Sequence, residues 1–149
     1  MIERVIQGDV LKVRKGTILF GVGSDHRQGA LIQNAQTQLG ITLPSKMELG
    51  HIHEFVRDHL KMIMVCCHDY TLEAYRTLAI FLENALSTIK RGDKISTVMV
   101  GCRGGGPFYP EAICKTLELL AASPNPVDIY YQGKPPFVFT HSKYKHLLG

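Results

Sequence analysis

Tryptophan is absent from the 149 residues, and the four cysteines, Cys66, Cys67, Cys102 and Cys114, form no C-x-x-C pair. Structural zinc sites want closely spaced ligand pairs, so no metal is expected, and His51, His53 and His59 are interspersed with loop-type residues. Long hydrophobic runs are also missing. The longest, "MIMVCC", falls far short of the roughly 20 residues of a membrane span. The opening "MIERVIQGDV" lacks the basic region followed by an apolar run that marks a secretory leader. These absences lead to an expectation of reduced, buried thiols, a cytoplasmic setting and no membrane attachment. A strong charge imbalance is lacking too. Seventeen Lys and Arg against 13 Asp and Glu give a net charge of +4. That suits an anionic ligand, but it reads as too small and too dispersed to argue for a nucleic-acid partner.

What is present is the composition of one globular domain, 45% hydrophobic and 20% charged, spanning 1–149 with a core from about 4 to 132 and a tail over 133–149. No repeat or linker interrupts it. Strand and helix patterns alternate, which predicts an α/β fold. "ERVIQGD" and "VLKV" read as a first extended stretch, and "TILFGVG" (17–23) as a strand ending in glycine. A helix is predicted from about Gly29 to Leu39, stopped by Gly40. The stretch from Ile41 to His53 has little periodicity and reads as a loop. "KMIMVCC" (61–67) is a continuous apolar run, as expected of a strand buried on both faces. The helix after it is predicted to carry Leu72, Tyr75, Ala79, Leu82, Leu86 and Ile89 as one apolar stripe, with Thr71 as N-cap, Lys90 and Arg91 at its C-terminal end and Gly92 as its stop. "KISTVMVG", "PEAICKTLELLAAS" and "VDIYYQG" read as strand, helix and strand.

A strand, a glycine-bearing loop and a helix follow one another twice, in "ILFGVGSDHRQGALIQ" and in "VMVGCRGGGPFYPEAI". In parallel α/β sheets, ligands sit beyond the carboxyl ends of strands. There the unpaired N–H groups of the next helix N-terminus favour an anion. Glycine lets the backbone approach a phosphate closely, and three in succession at Gly104, Gly105 and Gly106 exceed what a simple turn requires. Arg27 and Arg103 add charge-assisted contacts. Neither loop is a Walker A motif, because no Lys-Ser/Thr pair follows the glycines. "GVGSDH" also lacks the third glycine of the dinucleotide fingerprint. No cofactor is therefore expected.

The order of "GDVLKV", "TILFGVGSDHRQGALI", "IMVCCHDYTLEAYRTLAIFLENAL", "ISTVMVGCRGGG" and "VDIYYQ" resembles a macrodomain over roughly Arg4 to Gln132. The subgroup most similar is that of terminal ADP-ribose protein glycohydrolase. The resemblance implies a three-layer α/β/α sandwich with a mixed central sheet and a cleft for ADP-ribose, an ADP-ribosylated protein or a related nucleotide. It implies that Asp9 and Val10 lie near the adenine. Gly23, Ser24, Arg27, Gln28, Gly29, Ala30 and Leu31 would belong to the first phosphate loop. Gly101, Cys102, Arg103, Gly104, Gly105 and Gly106 would form the second. Tyr130 or Tyr131 would stack on adenine through its π-face, or else serve core or edge packing.

Departures from the subgroup concern its chemistry. Its lysine nucleophile has no counterpart after the middle strand, which runs into Cys66, Cys67, His68 and Asp69, and Arg103 with glycines occupies the place of its aspartate. Other hydrolytic members carry an asparagine-rich first loop where this chain has Gly23-Ser24-Asp25, and Leu31 stands where a second glycine is common. The expectation is thus a binding module. The alternative is a hydrolase that removes ADP-ribose from an acceptor, or phosphate from an ADP-ribose derivative, with Asp25 and His26 as acid and base. Against this, Asp25 also suits a helix cap and His26 a solvated surface. Cys102 could be a thiolate or an inert buried thiol. A lesser alternative is a nucleoside-monophosphate-cleaving enzyme using Glu111, although Phe108 and Tyr109 stand where such enzymes carry a threonine.

Overall fold

The computed structural model describes residues 1–24, 30–44, 46–68, 72–98 and 110–133, with backbone alone at 30–32, 68, 72–76 and 110–113. In chain order they form β1 (Ile2–Gln7), a 3-10 helix (Val10–Lys12), β2 (Gly16–Gly23), α1 (Ala30–Leu39), β3 (Ile52–Arg57), β4 (Leu60–His68), α2 (Leu72–Ser87), β5 (Ile95–Thr97), α3 (Pro110–Ala122) and β6 (Val127–Tyr131). One six-stranded sheet runs β1-β6-β5-β2-β4-β3. All its neighbours are parallel except β3, which pairs antiparallel with β4. The mixed sheet expected from the sequence is present.

The inner strands are apolar on both faces because both are covered. Leu19, Ile63, Val65 and Cys67 point to one side and pack with Leu78, Leu82, Leu117 and Leu120 of α2 and α3. Their alternates, Ile18, Phe20, Met62, Met64 and Cys66, point to the other side and pack with Val10, Leu11, Ala35, Ile41 and Met47. Two cores on opposite faces of one sheet make the three-layer sandwich.

Four local readings of the sequence need correction. "VLKV" is not extended. Asp9 caps a 3-10 turn, its Oδ1 accepting from Leu11 N at 2.9 Å, as a short acceptor side chain does at an N-cap. The segment read as loop up to His53 already enters β3 at Ile52. This edge strand alternates poorly because Glu54 and Val56 lie beyond the cover of α2 and face solvent. The described stripe of α2 is Leu78, Leu82 and Ala85, continued by Ile89 just beyond the helix end, with Ala79 and Leu86 only partly buried. The helix packs on both β4 and α3, so its apolar arc is centred between them. Finally, α2 ends at Ser87 rather than at Gly92. Ser87 Oγ and Thr88 Oγ1 donate to Asn84 O and Ala85 O at 2.6 and 2.7 Å. The N–H groups of Thr88 and Ile89 reach back three residues. These side chains compete for the carbonyls that would continue the helix. Thr71 lies outside the described residues.

Candidate ligand site

The parallel strands all point their carboxyl ends to one edge of the sheet, and there two neighbours send the chain in opposite directions. After β2 the chain leads to α1 on the face of Val10 and Phe20; after β5 it leads to α3 on the face of Leu19 and Leu117. Such a reversal between adjacent strands opens a crevice outside their ends. Among the described residues β5 pairs with β2 and β6 over Ile95–Thr97, while β2 runs on to Gly23 beside β4, and β6 to Tyr131 beside β1. Thr97, fully buried, closes the short strand. Its hydroxyl lies 2.8 Å from Leu19 O and 3.0 Å from Val98 O, and its single proton is within donating distance of either. Nothing in "KISTVMVG" marks that role beforehand.

Asp9, Val10, Tyr130 and Tyr131 are brought together at one flank. Gly8 N donates to Tyr131 O at 2.9 Å. A Cβ on Gly8 would stand 3.8 Å from Tyr130 Cδ1, so glycine sits in ordinary contact with that ring. Asp9 spends Oδ1 on Leu11 N, and its other carboxylate oxygen takes no bond from a described residue. Val10 turns its side chain into the core, 1% exposed, so what it offers a ligand is main chain. Tyr130 is half-buried, its ring against the core beneath the 3-10 helix. Tyr131 is likewise half-buried.

The opposite flank begins at Gly23, which pairs with His68 after a register shift in β2, and at Ser24, whose carbonyl accepts from Met47 N at 3.3 Å. Asp25, His26, Arg27, Gln28 and Gly29 lie outside the described residues, as do Gly101, Cys102, Arg103, Gly104, Gly105 and Gly106. The backbones of Ala30 and Leu31 form the first turn of α1, and Pro110 opens α3. Glu111 belongs to the same first turn of α3. Among the described residues no group of His, Cys, Asp and Glu is arranged to hold a metal.

Among the described residues, the thiols near the end of β4 are shielded. Cys66 and Cys67 are both fully buried near the end of β4. Burial, reinforced by the neighbouring Cys66 thiol, pushes Cys67 up to about 12. A thiol so raised stays protonated and unreactive. Cys114 is half-buried and unbridged. No described helix is long and apolar enough to cross a membrane.

No family profile and no curated sequence matches this chain. Solved structures do. A macrodomain of Thermus aquaticus DarG superposes with a TM-score of 0.60 at 16% identity, over 87% of this chain and 98% of that one. The fold is that of a macrodomain. Thermosipho africanus DarTG, solved in complex with ADP-ribose, superposes with a TM-score of 0.58 at 13% identity, over 94% of this chain and 44% of its own. An alphavirus structure, P23pro-zbd, gives 0.65 at 14% identity and 98% of this chain, of whose length this chain spans only 23%. At 13%, 14% and 16% identity the likeness is one of fold.

Proposed function

We propose that this chain binds ADP-ribose, free or carried on a protein, or a related nucleotide, in the crevice at the carboxyl ends of β2, β5 and β6. The observation that carries the reading is the divergence at β2 and β5, where two adjacent strands each lead through a glycine-bearing segment into a helix on the opposite face. A diphosphate lying between them meets N–H groups from two helix N-termini at once. Asp9, with one carboxylate oxygen free, and the Tyr130 ring at the flank fit an adenine amino group and base face. The macrodomain fold and the ADP-ribose in the Thermosipho africanus neighbour agree with this choice of ligand. The missing lysine after β4 and the basic Arg103 favour holding over cleaving.

Titration calorimetry tests the reading. Saturable heat with ADP-ribose is expected, with weaker heat from AMP, which lacks the second phosphate and distal ribose. Asp9→Ala should weaken binding by about 1–3 kcal/mol through the lost charged acceptor. No heat at millimolar ADP-ribose contradicts it. The hydrolytic alternative keeps Asp25 and His26 as acid and base. It is ruled out if Asp25→Ala with His26→Ala leaves release of ADP-ribose from an acceptor unchanged.

A further inference from the structure

The positive charge is not dispersed once the chain is folded. Residues 12–16 and 90–94 hold six of the 17 lysines and arginines and one of the 13 acidic residues. These ten residues therefore carry net +5, and the other 139 carry net −1. The fold sets the two segments side by side at the amino ends of β2 and β5, opposite the crevice. Thr17 N donates to Lys94 O at 2.9 Å, and a Cβ on Gly16 would lie 2.7 Å from that same oxygen.

Both segments are held rigidly. Arg14 Nη1 donates to Leu11 O at 2.7 Å and to Val13 O at 3.2 Å, and Gly16 N donates to His59 O at 3.1 Å. The turn from Lys90 to Asp93 is fixed from inside by the buried Asn125, whose Nδ2 donates to Lys90 O and Asp93 O at 2.8 and 2.9 Å. Lys94 is already paired with Glu3 and Asp128, at 2.9 and 3.1 Å. Arg14, Lys15, Lys90 and Arg91 are exposed and make no ion pair with a described residue. The nearby acids Asp58 and Asp93 temper this surplus without pairing to it.

We propose that this end of the molecule docks on the phosphate backbone of a nucleic-acid duplex, without reading sequence. Fixed cations that touch phosphates position a protein on a duplex and gain affinity by releasing counterions. Single-strand binders add aromatic stacking platforms, but Tyr130 and Tyr131 lie at the other end of the sheet and neither segment contains an aromatic residue. Interfacial membrane binders add an apolar face, and none of the exposed large apolar residues falls in either segment.

Fluorescence anisotropy with a labelled mixed-sequence duplex of about two helical turns tests the proposal. Four neutralised phosphates predict a log–log salt slope of about −3.6, hence roughly 150-fold weaker binding at about 200 mM than at about 50 mM salt. Replacing four of the two segments' five exposed cations without an ion pair to a described residue (Arg14→Gln, Lys15→Gln, Lys90→Gln, Arg91→Gln), Lys12 being the fifth, should lower the low-salt affinity at least tenfold with an unchanged circular dichroism spectrum. Should that variant not fold, Lys15→Gln with Lys90→Gln should make the slope shallower by about 1.8. Lys115→Gln, at an exposed position of α3, should change nothing. The proposal is overturned by no binding at low salt, by wild-type affinity in the four-fold variant, by an equal loss from Lys115→Gln, or by tighter binding to phosphatidylserine vesicles than to the duplex.

Discussion

Gly16 stands where β2 begins, with φ at +89° and the Lys94 carbonyl oxygen 2.7 Å from where a Cβ would be. That oxygen is backbone, held by Thr17 N, so it cannot swing aside as a flexible side chain would. Gly16→Ala should cost about 1–3 kcal/mol through the positive φ and the forced separation of β2 from β5. Urea unfolding reads this; an unchanged midpoint would mean that the approach is not as close as described. Cys67 makes a second prediction at this scale. The unfolded thiol ionises from about 9, whereas the folded one holds its proton to about 12. In that window the unfolded state binds fewer protons than the native one, so stability is full below about pH 9 and falls as pH rises towards 12. Comparing unfolding midpoints at about pH 8 and about pH 10, on either side of the unfolded thiol's transition and below that of the folded one, for the wild type and Cys67→Ala tests the sign. The wild type should lose more on the alkaline side, and equal losses would contradict it.

Elements show where pattern and packing part company. Leu82 is fully buried between α2 and the sheet, while Ile80, two residues earlier, is 56% exposed. Leu82→Ala should cost about 2–5 kcal/mol, and Ile80→Ala within about 0.5 kcal/mol. Thermal or urea melts separate the two, and similar costs would place the buried arc elsewhere. The presence of α2 was legible from its spacing, but the phase of its buried arc was not. Periodicity records the mean direction of apolar residues, and α3 draws the arc towards Leu78 and Ala85. Strand β3 was hidden for a related reason. Only Ile52 and Phe55 pack against the cores, on opposite faces, so no alternation marks the strand. The 3-10 turn at Val10 was not legible in a stretch read as extended, because capping by Asp9 requires the Leu11 N–H to be in place.

For the whole molecule, the repeated strand, glycine loop and helix was the most informative feature in the sequence. It singled out the ends of β2 and β5, because glycine and helix termini encode local backbone demands. What it did not contain is the strand order. Placing β2 beside β5, and thus the carboxyl ends of both strands side by side, depends on pairings between residues far apart in the chain. The same holds for the charge, which looked scattered in the sequence until Gly16 and Lys94 were set in contact. The proposed ligand crevice and the basic surface lie at opposite ends of the same parallel strands, which lets one experiment tell them apart.

Amide chemical-shift mapping on titration with ADP-ribose tests the central claim most directly. The account predicts saturable shifts at Gly8, Asp9, Gly23, Ser24, Val98, Tyr130 and Tyr131, together with Ala30 at the start of α1, and none at Gly16, Arg91 or Lys94. Shifts confined to the basic end, or no shifts at millimolar ligand, would contradict it.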